Sequence, residues 1–143
     1  MPAPAAETTR AFPAASAQLG DIDAWIEDVG SRWGLTERTV FRARVCIAEL
    51  AANAIEHGGA SERSDPFSVT LRNRNPALEI EFTDPGRPFD PAGGPMPSKH
   101  PSDADDEGGR GLQLLRAYAS ALNYRRDGNS NVLTFRVVAL PTG

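Results

Sequence analysis

The stretch E-L-A-A-N-A-I-E-H-G, residues 49–58, closes the longest helical pattern in the chain and decides how the rest is read. At 100° per residue, Glu49, Asn53, Glu56 and His57 fall on one strip, roughly a third of the circumference. Beside it runs an apolar stripe of Val40, Ala43, Ile47, Leu50 and Ala54. A helix carrying both stands at the edge of a core with a polar strip beside the buried one. Thr36 is placed to cap it, Glu37 suits the positive end of its dipole, and Gly58-Gly59 end it.

A solvated helix face carries the same E-x-x-x-N pattern, so the strip becomes a site only if residues elsewhere complete it. In that case Asn53 offers a neutral oxygen to Mg²⁺, a hard cation that prefers oxygen ligands. Glu49, one turn earlier, is then placed as a general base. Cys46 lies on the same flank and reads as packing.

Upstream, residues 1–7 read as a loose, flexible tail and 8–14 as a short edge strand limited by Pro13. Ser16 is a candidate cap for a first helix. Its apolar positions are Leu19, Ile22, Ile26, Val29 and Trp33, and Gly34 is its stop signal.

Downstream the period changes from helical to alternating. Phe67, Val69 and Leu71 alternate with polar residues, as do Leu78, Ile80 and Phe82 after a turn at 73–76. The two runs predict an antiparallel hairpin. Parity places Asp84 on the inward face of the second strand, where an ionised carboxylate is costly without a partner. The exocyclic amino group of adenine is one candidate partner. A D-P-G turn in which Asp84 bonds its own backbone is the other. Gly86 allows a tight turn and close approach of a ligand under either reading.

Residues 91–108 have no hydrophobic period, and a loop of that length in a small domain is usually functional; its position suits a nucleotide lid. Gly108-Gly109-Arg110-Gly111 then leads into a third helix, expected at 111–120. Glycines at a helix N-terminus let backbone N–H groups reach a phosphate. Arg110 either meets that phosphate or is exposed. No G-K-[ST] follows, so this is not a P-loop, and the setting of a dinucleotide fingerprint is missing. A closing hairpin is expected from 122–126 and 132–140 around Asp127-Gly128.

The order of elements predicts an α+β fold. It is a two-layer sandwich whose mixed, mostly antiparallel sheet is covered on one face by three helices. The 143 residues suit one domain. A formal charge of −4 argues against nucleic-acid and anionic-membrane partners, which reward clustered Lys and Arg. One cysteine and two histidines exclude an internal disulfide and the usual zinc sites. No apolar run approaches a membrane span, and the N-terminus lacks the charged start and apolar core of a signal peptide. The expected location is the cytoplasm.

These residues resemble the ATPase superfamily of histidine kinases, gyrase and the large heat-shock chaperone. Within it the chain is most similar to the small anti-sigma-factor serine/threonine kinases of bacterial partner-switching systems. The N-box E-x-x-x-N-A-x-x-H-G matches at Glu49, Asn53, Ala54, His57 and Gly58. The first glycine box, D-x-G-x-x-F-D-P, matches at Asp84, Gly86, Phe89, Asp90 and Pro91. The second, G-G-x-G-L, matches at Gly108, Gly109, Gly111 and Leu112, and G-N-S-N-V-L-T-F is similar to the closing strand of these kinases. The likeness runs over residues 8–140, within an expected ATPase domain of residues 8–143 whose lid is 91–108.

The resemblance implies a Bergerat-type ATP site. Asn53 would hold Mg²⁺, Glu49 would be the base and Asp84 would read adenine. Gly109, Arg110 and Gly111 would lie at the phosphates, with His57, Gly86, Phe89 and Leu112 completing the nucleotide site. The implied activity is ATP-dependent phosphorylation of a Ser or Thr on a small anti-anti-sigma-like partner, with a sigma factor or similar regulator sequestered. A nucleotide-dependent binding switch with negligible transfer is the alternative, and a homodimer is open.

Overall fold

In a computed structural model of the chain, the described residues are 6–13, 19–57, 66–86, 88 and 107–139. The elements in order are β1 (Glu7–Phe12), α1 (Leu19–Arg32), α2 (Glu37–His57), β2 (Phe67–Arg74), β3 (Ala77–Asp84), α3 (Glu107–Tyr118), β4 (Ala119–Asp127) and β5 (Ser130–Val137). The strands form one sheet in the order β1-β2-β3-β5-β4, and every pairing among the described strands is antiparallel. The expected α+β architecture, one mostly antiparallel sheet with three helices, is present; the sheet has five strands and none of its described pairings is parallel.

Alternation in the strands decides which face the helices cover. Phe67, Val69 and Leu71 of β2, Leu78, Ile80 and Phe82 of β3, and Leu133, Phe135 and Val137 of β5 are buried in one core. The helices meet them with Ile22, Ile26 and Val29 from α1 and with Ala43, Ile47, Leu50 and Ala54 from α2. Leu115 anchors α3 in the same core. The opposite face of the sheet carries charge. Arg72 reaches Glu7 at 2.7 Å, Glu79 at 3.2 Å and Glu81 at 3.3 Å, and Arg136 reaches Glu79 at 3.2 Å. This cross-strand ladder leaves the sheet a polar second face.

The helix ends follow their sequence signals. Gly34 has φ +69°, in the left-handed region that favours glycine. The Leu35 N–H donates to the Gly30 carbonyl and the Gly34 N–H to that of Ser31, the bond pair of a Schellman stop. The Thr36 hydroxyl accepts from the Thr39 N–H at 3.1 Å, so Thr36 caps α2 as expected. The buried Thr39 hydroxyl in turn accepts the Ala139 N–H at 2.9 Å, which ties the chain after β5 to the start of α2.

Several boundaries differ from expectation. β1 opens at Glu7, one residue early, and pairs with β2 alone. α3 begins at Glu107 rather than at Gly111, so Gly108, Gly109 and Arg110 lie in its first turn and Gly111 directly after it. The first four N–H groups of a helix need no intrahelical acceptor, and glycine is tolerated there at lower cost than in the interior. β4 starts at Ala119, so Ser120 is strand and not helix; a register shift between Ser120 and Asn123 contains Ala121 at φ 54°. Ser16, Gly58-Gly59, Phe89, Asp90 and residues 91–106 of the expected lid lie outside the described residues.

Candidate functional site

The C-terminal half of α2 and the far end of β3 converge. Leu50 and Asn53 from α2, Phe82 and Asp84 from β3, Tyr124 from β4, and Asn131 and Leu133 from β5 line one small pocket. Its apolar walls are Leu50, Phe82 and Leu133. Its polar groups are Asn53, Asp84, Tyr124 and Asn131. The free volume is about 20 Å³, the room of a single water, so a planar base entering it must displace side chains at the rim.

Asp84 lies where strand parity puts it, opposite Asn131 in the β3–β5 register. Its Oδ1 accepts the Gly86 N–H at 2.8 Å, which is the local turn that a D-P-G sequence favours. The same oxygen accepts from Asn131 Nδ2 at 3.2 Å. Among the described residues nothing is hydrogen-bonded to Oδ2. The two sequence readings of Asp84 are therefore compatible: one oxygen serves the turn and the other remains for a donor. Gly86 is buried, and its carbonyl accepts Arg126 Nη1 at 2.7 Å.

Asn53 is half-buried and faces the pocket across from Asp84, so the structure joins two residues that the sequence assigned separately. Glu49, also half-buried, stands one turn earlier on the same strip and is not among the pocket's lining residues. His57 is the last residue of α2, with its side chain outside the described residues. Cys46 is fully buried, and burial pushes its thiol up to about 12, so it packs as a small protonated side chain.

Gly109 and Arg110 lie in the first turn of α3, Gly111 and Leu112 begin its second, and the side chains of all four are not described. The body of the helix is fixed against α2. Leu115 is buried in the core, and the Arg42 guanidinium lies 5.0 Å from the Tyr118 ring centroid. No hydrogen bond among the described residues joins this turn to Asp84. Phe89 lies outside the described residues.

Three pocket-side groups escaped the sequence reading: Tyr124, Arg126 and Asn131. The signal for Asn131 was available. It occupies the inward parity of β5 with Leu133, Phe135 and Val137, the anomaly that singled out Asp84 in β3.

The donor set suits the groups expected of it. A carboxylate oxygen at the end of an apolar-walled slot matches a flat base bearing an amino group. Asn53 supplies a neutral oxygen that suits a magnesium ion sharing its other positions with phosphates and water. Among the described residues no three His, Cys, Asp or Glu side chains cluster. A roomier cleft, about 630 Å³, lies between α1 and α2 beside Glu37, Val40 and Phe41. It is about 20 Å from Asn53 along the α2 axis. Arg44, in its described lining, is engaged by Asp23 at 3.3 Å and Glu27 at 2.6 Å. The described lining of the cleft includes no inward strand-end carboxylate.

Comparison with known proteins agrees with this architecture. The chain is 28% identical over 118 residues to the serine/threonine-protein kinase BtrW of Bordetella bronchiseptica, covering 82% of this chain and 83% of that protein. It is 25% identical over 125 residues to the serine-protein kinase RsbW of Bacillus licheniformis, covering 84% and 78%. Among solved structures, the RsbU and RsbW domains of a Mycobacterium tuberculosis protein superpose with a TM-score of 0.67 at 16% identity, over 95% of this chain. This chain spans about a third of that structure, 33%. The model of the histidine kinase-like ATPase domain matches residues 12–137. With its motifs, its fold and its relatives in agreement, this chain belongs to the histidine kinase-like ATPase domain family.

Proposed function

We propose that this protein binds ATP with Mg²⁺ between α2, the end of β3 and the first turn of α3, and transfers the γ-phosphoryl group to a Ser or Thr of a small protein partner. The observation that carries the reading is the meeting of Asn53 and Asp84 on one apolar-walled pocket, from helix and strand. Asp84 accepts the adenine amino group through Oδ2. Gly109, Arg110 and Gly111 lie at the phosphates, which the free N–H groups at the start of α3, up to that of Gly109, and the Arg110 side chain receive. His57, Gly86, Phe89 and Leu112 complete the nucleotide site, with residues 91–106, ahead of α3, as its lid. Bound magnesium neutralises triphosphate charge, and Asn53 holds one of its coordination positions.

In the transfer step the partner's hydroxyl oxygen bonds to the γ-phosphorus as the bond to the ADP oxygen breaks, and Glu49 takes the hydroxyl proton. The relatives named as serine kinases support a protein hydroxyl as acceptor. On that basis the partner is a small anti-anti-sigma-like protein, and a sigma factor or comparable regulator is the sequestered target. The protein would act in the cytoplasm; no helix among the described residues is long and apolar enough to cross a membrane. Glu49 favours transfer over a pure nucleotide-dependent switch, since a binding site needs no base.

The test is incubation with γ-labelled ATP and the partner co-purified from its own cell. Label on a partner Ser or Thr is expected. A partner that stays unlabelled while ATP binds would replace the kinase reading with the binding switch.

A further inference from the structure

Asn131 is 5% exposed, and a buried amide is costly unless both of its ends are bonded. Its Oδ1 accepts the Tyr124 hydroxyl at 2.7 Å and Arg126 Nη1 at 3.1 Å. A guanidinium has donors and no acceptor, so the end of the amide facing Arg126 is its oxygen. Nδ2 is thereby turned to Asp84, 3.2 Å from Oδ1. Arg126 also closes the turn beyond Asp84 by donating to the Gly86 carbonyl at 2.7 Å, and the Gly86 N–H donates back to Asp84 Oδ1 at 2.8 Å. Asp84, Gly86, Arg126 and Asn131 thus form a closed ring of hydrogen bonds, with Tyr124 bracing it from β4.

We infer that Asn131 is a positioning residue that sets base selectivity through Asp84. Two N–H donors clamp Oδ1, so the carboxylate cannot rotate without losing one of them. With Oδ1 clamped, Oδ2 of this pocket-lining residue is held at a fixed point, pre-aligned for an amino donor on a planar base. The inference rests on the reading of Asp84 as the group that accepts the adenine amino group. Arg126 fixes the sense of the amide, and the Tyr124 hydroxyl reinforces it.

The test compares ATP with purine riboside triphosphate, which lacks the 6-amino group, by titration calorimetry at constant Mg²⁺. The full-length wild type, Asn131→Leu, Tyr124→Phe, Asp84→Asn and the Asp84→Asn/Asn131→Leu double variant are used, each checked for folding by circular dichroism. Asn131→Leu is expected to weaken ATP about tenfold and to leave the analogue within about twofold. Tyr124→Phe should move ATP in the same direction by a smaller factor. In the Asp84→Asn background, Asn131→Leu should change ATP affinity no further, because its effect passes through Asp84. Equal weakening of both nucleotides, unchanged ATP affinity, or a loss that persists in the Asp84→Asn background would each overturn the inference. If Asn131→Leu does not fold, Tyr124→Phe decides alone, and unchanged ATP affinity or an equal loss for both ligands overturns it. A wild type that binds both nucleotides equally removes the Asp84 reading and the inference with it. A discriminating wild type matched by Asn131→Leu removes the positioning role alone.

Discussion

Gly30 of α1 lies directly against Val40 of α2, so that a Cβ on residue 30 would fall well inside contact distance of Val40 Cγ2. The two helices approach this closely because one of them has no side chain there. Gly30 also gives its carbonyl to the Leu35 N–H in the stop of α1, so its backbone is fixed from both sides. Gly30→Ala is expected to destabilise the fold by about 1–3 kcal/mol through overpacking, despite alanine's better helix propensity. Thermal unfolding followed by circular dichroism would show it as a lower Tm; a raised Tm would mean that the helices separate freely.

The charge ladder on the open face makes stability depend on pH. Burial pushes the Glu79 carboxyl up, but hydrogen bonds from Arg136 and Arg72 and the charges of Arg74 and Arg72 outweigh it, and the group titrates below its ordinary value of 4.5. A carboxyl depressed by folding contributes stability above its unfolded pKa, and that contribution is lost as pH falls through the folded value. Wild type should exceed Glu79→Gln by about 0.5–1 kcal/mol at neutral pH, with the gap closing below the unfolded carboxylate range. Urea melts at several pH values measure it, and a gap that is constant with pH would show that Glu79 contributes only packing.

What could be read from the sequence was what local rules determine. Strand alternation put Asp84 on the inward face because parity needs no partner strand, and Gly34 and Thr36 announced their caps through their own chemistry. The inward parity of Asn131 is as readable as that of Asp84, but what its amide meets depends on a pairing 47 residues away, in a sheet where β5 inserts between β3 and β4. The sequence places the start of α3 late because glycines argue for loop, while a first turn tolerates them. The tight contact at Gly30 follows from how two helices cross, and a single glycine in a helical pattern does not announce that.

Asp84→Asn separates the turn from the site. The amide oxygen can still accept from Gly86 and Asn131, so the local ring survives. The other oxygen becomes an NH₂ group, which presents a donor to the donor of adenine. ATP affinity is expected to fall about 100-fold, with loss of preference over purine nucleotides lacking the amino group. Calorimetric titration checks it, and unchanged affinity would take Asp84 out of the nucleotide site.

Glu49 and Asn53 stand one turn apart on α2, yet their substitutions should fail differently. Asn53 lines the pocket and is assigned to the Mg²⁺–nucleotide ground state, so Asn53→Ala should weaken Mg²⁺-dependent ATP binding by about tenfold and lower transfer in consequence. Glu49 lies off the pocket lining and is assigned to the incoming hydroxyl. A proton acceptor acts as the new bond forms, so Glu49→Ala should bind ATP within about twofold of wild type while transfer falls about 100-fold or more. Glu49→Gln should behave as Glu49→Ala does, because it keeps the shape and loses the base. Binding by calorimetry and single-turnover transfer from labelled ATP, measured on the same preparations, separate the two roles. Transfer at the wild-type rate in Glu49→Gln would show that the hydroxyl loses its proton elsewhere, and equal loss of binding in both variants would make Glu49 a ligand of the nucleotide complex instead of its base.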